Sequence, residues 1–237
     1  MGKEVEKLAL AGYRGAELAA GVDYNSDGTA SVPCADSFDA AYTDVDCIID
    51  FSHHSCTEAL LSFAVRNSLP LVLATTGQAD DEKKAIIEAS KKIPIFFAAN
   101  YSLGIALLIE LAKQTASAMP DAEIEIIEKH HDRKLDAPSG TALAIADAIK
   151  SVRPEAYTNC GRSGIGKRQQ NEIGVHSIRM GNIVGEHEVI IGTQNQTITL
   201  KHEAHSRALF AEGALAAAAF LVGKPAGLYD MNSMIGF

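Results

Sequence analysis

Apolar residues recur along this chain in two rhythms, and the change from one to the other divides it. Between residues 45 and 98, short runs rich in β-branched residues alternate with amphipathic segments. The pattern predicts strands at 45–51, 69–75 and 93–98, with helices at 57–67 and 80–92. Continuous apolar strands separated by amphipathic helices predict a parallel sheet covered on both faces, with ligands gathering at the strands' C-terminal ends. Upstream, 3–11 reads as a short helix with Val5 and Leu8 inward, and 17–23 as a strand ending in Asp23. Past Tyr101 the rhythm changes. Ser102 caps a long helix to about residue 119. Residues 122–129 then set Ile124 and Ile126 against Glu123 and Glu125, the period-2 signature of a half-buried strand. A helix follows from Ser139 to 150, then a polar loop over 151–171. Strands are predicted at 173–180, 187–192 and 197–202, the last two as a hairpin. This half predicts an α+β unit with a mainly antiparallel sheet. An Ala-rich helix over 206–222 closes the pattern.

Composition narrows the function classes. With 237 residues, 47% of them hydrophobic, the chain can bury one large core or two modest ones. A formal charge of −9 argues against a general nucleic-acid or acidic-membrane binder, which needs a basic surface. Cys34, Cys47, Cys56 and Cys160 show no C-x-x-C spacing. Neither a signal-peptide pattern nor an apolar run of about 18 residues is present, so a cytoplasmic protein with no membrane partner is expected.

Most of the chemical options lie in residues 126–142. His130 and His131 stand at a strand's exit, Lys134 follows, and the chain turns through Asp136, Ala137 and Pro138 into Ser139, Gly140 and Thr141. Ser139 is a good N-cap, and the small residues after it leave backbone N–H groups free to hold an anion. A side chain that titrates near neutrality, a fixed cation and such a helix start together suit protonation of an anionic substrate. Two other readings stand beside it. One is an ordinary strand-to-helix connection with surface histidines. The other is a metal-dependent hydrolase on His130, His131, His202 and His205, although H-E-A-H lacks the H-E-x-x-H step that sets two ligands one helical turn apart. Residues 161–168, G-R-S-G-I-G-K-R, imitate a P-loop but carry Arg where magnesium needs Ser or Thr. They read as a flexible basic loop over an anionic substrate, with Arg162, Lys167 and Arg168 as contacts.

E-x-H-H-x-x-K-x-D-A-P-S-G-T-A, at 128–142, resembles the signature of the dihydrodipicolinate reductases, nicotinamide-dependent enzymes of the diaminopimelate route to lysine. Similarity continues in D-F-S at 50–52, T-T-G at 75–77, A-A-N-Y-S at 98–102 and the run 172–210, so it spans nearly the whole chain. The resemblance implies a Rossmann-like dinucleotide-binding domain over 1–101, with 207–237 returning to it. It also implies a domain for substrate binding, catalysis and oligomerisation over 102–206. In the roles it implies, His130 donates the proton and Lys134 assists and pairs with a carboxylate, while His131, Ser139, Gly140 and Thr141 hold a small dicarboxylate. Gly2, Asp23, Phe51, Ser52, Ala74, Thr75, Thr76, Ala98, Ala99, Asn100 and Tyr101 would contact NADH or NADPH. Asp23 is followed by Tyr24, Asn25 and Ser26, with no cation to neutralise a 2′-phosphate, so NADH is favoured. A homotetramer built on the second domain's sheet is also implied. Ala74 stands where many relatives carry Gly, and Met180 likewise.

A dinucleotide-binding domain opens on an apolar strand and a glycine-rich turn. This chain opens on a helix, and Gly2 matches the last glycine of the family pattern. The expectation is that the first strand and its loop are absent and that the working enzyme carries about a dozen further residues, one strand and its loop. The neighbouring strands would then lack ladder partners, and the 237 residues would bind dinucleotide poorly or not at all. A catalytically impaired protein of this fold is the corresponding alternative.

Overall fold

The structure is a computed structural model that describes residues 1–25 and 28–236, leaving aside the Asp39 side chain. Its contacts divide the chain into two units, Met1–Ser102 with Ala208–Phe237, and Leu103–Arg207.

The first unit begins with α1 (Gly2–Leu10), β1 (Gly21–Val22), β2 (Cys34–Ala35), β3 (Ile48–Asp50), α2 (Thr57–Arg66), β4 (Leu71–Leu73), α3 (Asp80–Ser90) and β5 (Pro94–Phe97). The second unit holds α4 (Leu103–Ala118), β6 (Glu123–His130), α5 (Gly140–Val152), β7 (Tyr157–Cys160), β8 (Glu172–Arg179), β9 (Gly185–Thr193) and β10 (Gln196–Ala204). The chain then returns to the first unit as α6 (Ala208–Leu221), β11 (Gly227–Tyr229) and α7 (Met231–Ile235).

In the first unit, the parallel α/β architecture predicted from apolar strands and amphipathic helices is present. A sheet ordered β11-β5-β4-β3 is parallel throughout. Leu71, Val72 and Leu73 of β4 are fully buried, and Leu71 and Leu73 pack with Leu60, Ile86 and Ile95 from the flanking elements. β11 follows Lys224-Pro225 and is three residues long, too short to show a period. A second, two-stranded parallel sheet, β1-β2, stands apart from the first. The strand foreseen over 17–23 is only Gly21–Val22. A groove of about 740 Å³ lies between the β1 and β3 edges, floored by α2 and α6.

The second unit has a mixed sheet ordered β10-β9-β6-β8-β7. β9 runs antiparallel to both β10 and β6, the first pair being the foreseen hairpin. β8 runs parallel to β6 and to β7. The cause is the connection: α5 carries the chain across the sheet, and a crossover through a helix returns a strand parallel to the one it left. β7 forms from Y-T-N-C inside the segment read as a polar loop, because it finds backbone partners along β8. Ile124 and Ile126 face a core shared with Ile145, Ile149, Val189 and Ile191.

Candidate active site

β6 places the site. Its even-numbered residues turn to the helix-covered face, so Ile124, Ile126 and Glu128 fall in one row, and Glu128 is 0% exposed. A carboxylate where the alternation calls for an apolar side chain needs partners, because an unpaired buried charge is expensive. Glu128 has four. Arg179 on the neighbouring β8 donates from Nη1 to Oε2 at 2.9 Å and from Nη2 to Oε1 at 2.7 Å. The Ser139 amide donates to Oε1 at 3.1 Å, and His130 Nδ1 lies 2.6 Å from Oε2. Burial by itself would raise this carboxyl, but the hydrogen bonds from His130, Arg179, Ser177 and the Ser139 backbone outweigh it and hold it well below the usual carboxylate range. Glu128 is therefore ionised and can only accept, which puts the His130 proton on Nδ1 and leaves Nε2 on the side of the ring away from the carboxylate.

The His130 side chain is 12% exposed. A Cβ at Gly185 would lie 3.1 Å from its Nε2, so the missing side chain on β9 gives the ring its room. His187, two positions along β9 on the same buried face, meets His130 edge to face with ring centroids 5.2 Å apart. Its Nε2 lies 3.2 Å from the Ser139 hydroxyl. Burial, reinforced by nearby His130, pushes the His187 pKa down to about 4, so this ring is neutral at physiological pH. Glu128, Arg179, Gly185 and His187 were given no role in the sequence reading. The signal for Glu128 was in the strand pattern, whereas Arg179 and His187 depend on the pairing of β6 with β8 and β9.

The remaining expected substrate contacts gather beyond the strand's end. The His131 amide donates to the Ile183 carbonyl at 2.8 Å, and its buried Nδ1 has no hydrogen-bond partner among the described residues. Lys134 Nζ lies 2.8 Å from Asp136, and that ion pair lowers the Asp136 carboxyl. Ser139 caps α5 as foreseen, accepting from the Ala142 amide at 3.2 Å. Open space surrounds the Gly140 Cα. The basic-loop expectation fares differently. Arg162 pairs with Glu172, and Arg168 is held by Glu125 at 3.1 Å and the Ile124 carbonyl at 3.0 Å, so both brace the sheet. Lys167 is exposed. Of the histidines in the metal reading, His202 packs beside Gly104 at the start of α4, and His205 is 82% exposed.

The residues expected to contact a nicotinamide cofactor lie in the first unit, at the C-terminal ends of parallel strands. Phe51 and Ser52 follow β3, Ala74, Thr75 and Thr76 follow β4, and Ala98, Ala99 and Asn100 follow β5. Thr75 donates its hydroxyl to buried Asp50 at 2.6 Å, and Asp50 also accepts from the Ser52 amide at 3.0 Å, which ties the first two ends together. Thr76 and Gly77 are exposed beside them, and Gly77 has φ +89. The Tyr101 ring is 3% exposed, with its hydroxyl on the Leu73 and Phe96 carbonyls, so its side chain braces β4 and β5 from within. Asp23 is exposed at the end of β1 and accepts from the Asn25 amide at 2.9 Å. Ser26 lies outside the described residues. Gly2 opens α1 with nothing near its Cα. These groups fit a dinucleotide, with sugar acceptors at one end and an exposed polar shelf at the other.

Comparison with known proteins agrees with both units. The family model described as dihydrodipicolinate reductase, N-terminus, matches residues 1–101, and the corresponding C-terminus model matches 104–235. The 4-hydroxy-tetrahydrodipicolinate reductase of Caldanaerobacter subterraneus subsp. tengcongensis is 46% identical over 237 residues, covering 99% of this chain and 94% of that protein. That of Clostridium tetani is 46% identical over 221 residues, covering 92% and 87%. Among solved structures, a dipicolinate-bound dihydrodipicolinate reductase from Paenisporosarcina sp. TG-14 shares the fold. Its TM-score is 0.80 at 23% identity, over 98% of this chain and 95% of that one. With the two family models together matching residues 1–101 and 104–235, and relatives of this similarity, the chain belongs to the dihydrodipicolinate reductase family.

Proposed function

We propose that the protein reduces a dihydrodipicolinate-type cyclic dicarboxylate to tetrahydrodipicolinate, in the diaminopimelate route to lysine. The observation that carries this reading is His130, oriented by an ionised Glu128 within hydrogen-bond distance and standing four residues before Lys134. Family membership and the names of its relatives give the substrate class.

A bound nicotinamide cofactor supplies the hydride. The chain's own work is to hold the dicarboxylate and deliver the proton. Lys134 and the amides of Gly140 and Thr141 at the α5 N-terminus bind substrate carboxylates, with Ser139 and His131 alongside. As negative charge builds on the ring, His130 donates its Nε2 proton, and Glu128 stabilises the protonated imidazole before and during that step. Neutral His187 packs the ring without adding a competing charge.

The finer assignments belong to the same proposal. NADH is preferred, because Asp23 ends its strand with no cation in the sequence just after it. The functional division runs 1–101 with 207–237, and 102–206. The exposed face of β10 supports assembly into a homotetramer, since an edge strand left open is liable to pair. An assay of nicotinamide oxidation with the cyclic dicarboxylate tests the reading. Turnover is expected with either cofactor, at higher kcat/KM with NADH, and is expected to fall ~10² to 10⁴ in His130→Gln, the usual worth of a general acid. Unaltered turnover in that variant would remove His130 from the role.

A further inference from the structure

We infer that His187 is a positioning residue for the proton transfer, one that locks His130 to the helix start receiving a substrate carboxylate, an assignment that rests on the reductase reading above. Along β9, Gly185, His187, Val189 and Ile191 alternate onto the buried face. Val189 and Ile191 join the apolar core there, whereas His187 sets a polar ring in the same row at 4% exposure. A buried imidazole costs stability where an aliphatic side chain would not, unless its nitrogens are bonded. The Nδ1 of His187 has no hydrogen-bond partner among the described residues, so one side of the ring bears that cost unrelieved. Packing alone does not account for a histidine at this position.

Its contacts do. His187 stands directly opposite Glu128 in the β6–β9 ladder, at the spacing where side chains on one face meet. The two residues hold the same two targets. Glu128 takes His130 Nδ1 on one carboxylate oxygen at 2.6 Å and the Ser139 amide on the other at 3.1 Å. His187 packs edge to face on the His130 ring, centroids 5.2 Å apart, and sets its Nε2 3.2 Å from the Ser139 hydroxyl. A single hydrogen bond at Nδ1 fixes the distance of the His130 ring but not its tilt, since an accepting oxygen tolerates a broad range of directions. Gly185 offers no side chain on the Nε2 side to limit that tilt, so the His187 ring sets it. The Ser139 hydroxyl in turn caps α5 by accepting from the Ala142 amide at 3.2 Å. The amides of Gly140 and Thr141, next in the chain, are the proposed carboxylate cradle. Proton donor and cradle are thus held in register through His187, and burial keeps that ring neutral beside a protonated His130.

Two substitutions separate the two contacts. Phenylalanine keeps a ring against His130 and deletes the bond to Ser139, whereas glutamine keeps a polar group for Ser139 and deletes the ring. In nicotinamide-linked turnover of the cyclic dicarboxylate, His187→Gln is expected to lower kcat about tenfold with KM nearly unchanged, within what a small misplacement of a reacting group costs. His187→Phe is expected instead to raise KM roughly fivefold, the worth of one hydrogen bond, because the cradle loosens. Amide hydrogen exchange in the free protein should be faster at Ala142 in His187→Phe than in His187→Gln or the wild type. The constants are taken per folded molecule, and each variant reports on its own contact, so either one that folds is decisive. Wild-type kcat and KM in a folded variant overturns the inference, as does an identical loss in both constants in both variants, since a merely structural role lowers Tm without splitting them. A wild type that does not turn over the dicarboxylate refutes the reductase reading instead. Exchange at Ala142 then still decides the hold on the cap: acceleration in His187→Phe supports it, and unchanged exchange overturns it.

Discussion

Glu128 Oε2 and His130 Nδ1, 2.6 Å apart on the same face of β6, form the contact that fixes which imidazole nitrogen faces outward. Because the carboxylate is fully buried and doubly bonded by Arg179, its position is set by the sheet and not by the histidine. His130 is thus held against a carboxylate that the sheet itself fixes.

Glu128→Gln tests that arrangement. The amide can present a donor to Nδ1 and favour the opposite tautomer, and no carboxylate then remains to stabilise the imidazolium that the proposed proton transfer requires. Turnover should fall roughly 10- to 100-fold, as for other partners that orient a functional imidazole, with a smaller change in KM. Imidazole nitrogen NMR of the variant should show loss of the Nδ1–H form. A purely structural role would lower the yield of folded protein while leaving kcat per folded molecule and the tautomer unchanged.

Lys134→Ala should behave differently from substitutions at His130. Its Nζ now pairs with Asp136 at 2.8 Å, in a partly exposed position where exchange of one carboxylate for another is cheap. Removing a charge that engages a substrate carboxylate from binding onward should raise KM as well as lower kcat. An effect on kcat alone, with unaltered substrate affinity by direct titration, would count against carboxylate pairing.

Much of this was legible in the sequence, and the boundary is physical. Helix α5 and its cap announced themselves because Ser139 and the spacing of Ile145 and Ile149 are local signals. The β9–β10 hairpin was equally local. Parallel pairing of β6 with β8 was not, because the partners lie about fifty residues apart and the connection decides direction. The same distance hid the charges. Arg168 reads as a loop cation until β6 and β8 come together and offer it Glu125 and the Ile124 carbonyl. Lys134 needed only the local motif.

Acid should destabilise the fold in two stages. The unfolded chain binds a proton at His187 near its ordinary value of 6.5, while the folded chain does so only near 4. Between those values the unfolded state holds more protons, so stability is full above pH 6.5 and falls by on the order of 3 kcal/mol down to pH 4. Glu128 acts lower. Its folded carboxyl titrates below its unfolded value, so its contribution is present above about pH 4.3 and is lost as pH falls further. Urea unfolding across pH should show both stages in the wild type and a shallower upper stage in His187→Gln, since His202, also lowered by burial, keeps a share of it. Equal slopes for the two proteins between pH 4 and 6.5 would contradict the assignment.

Gly213 tests how closely α6 packs in the first unit. A Cβ there would lie 1.7 Å from the Tyr101 carbonyl oxygen, well inside any tolerable contact, and the neighbour is backbone and not the free end of a side chain. Nor can Tyr101 easily give way, since its hydroxyl is bonded to the Leu73 and Phe96 carbonyls and its ring is buried beside Phe96. Alanine favours a helix over glycine by about 1 kcal/mol, which by itself would make Gly213→Ala stabilising. Overpacking of a rigid contact costs about 1–3 kcal/mol or more and must move α6 off the sheet, so the clash prevails. Gly213→Ala should lower Tm by several degrees, at about 2–4 °C per kcal/mol for a chain of this size. Gly166→Ala, which meets nothing within 4 Å, should leave Tm within a degree or so and serves as the control. A Gly213→Ala protein as stable as the wild type would show that α6 does not approach Tyr101 this closely.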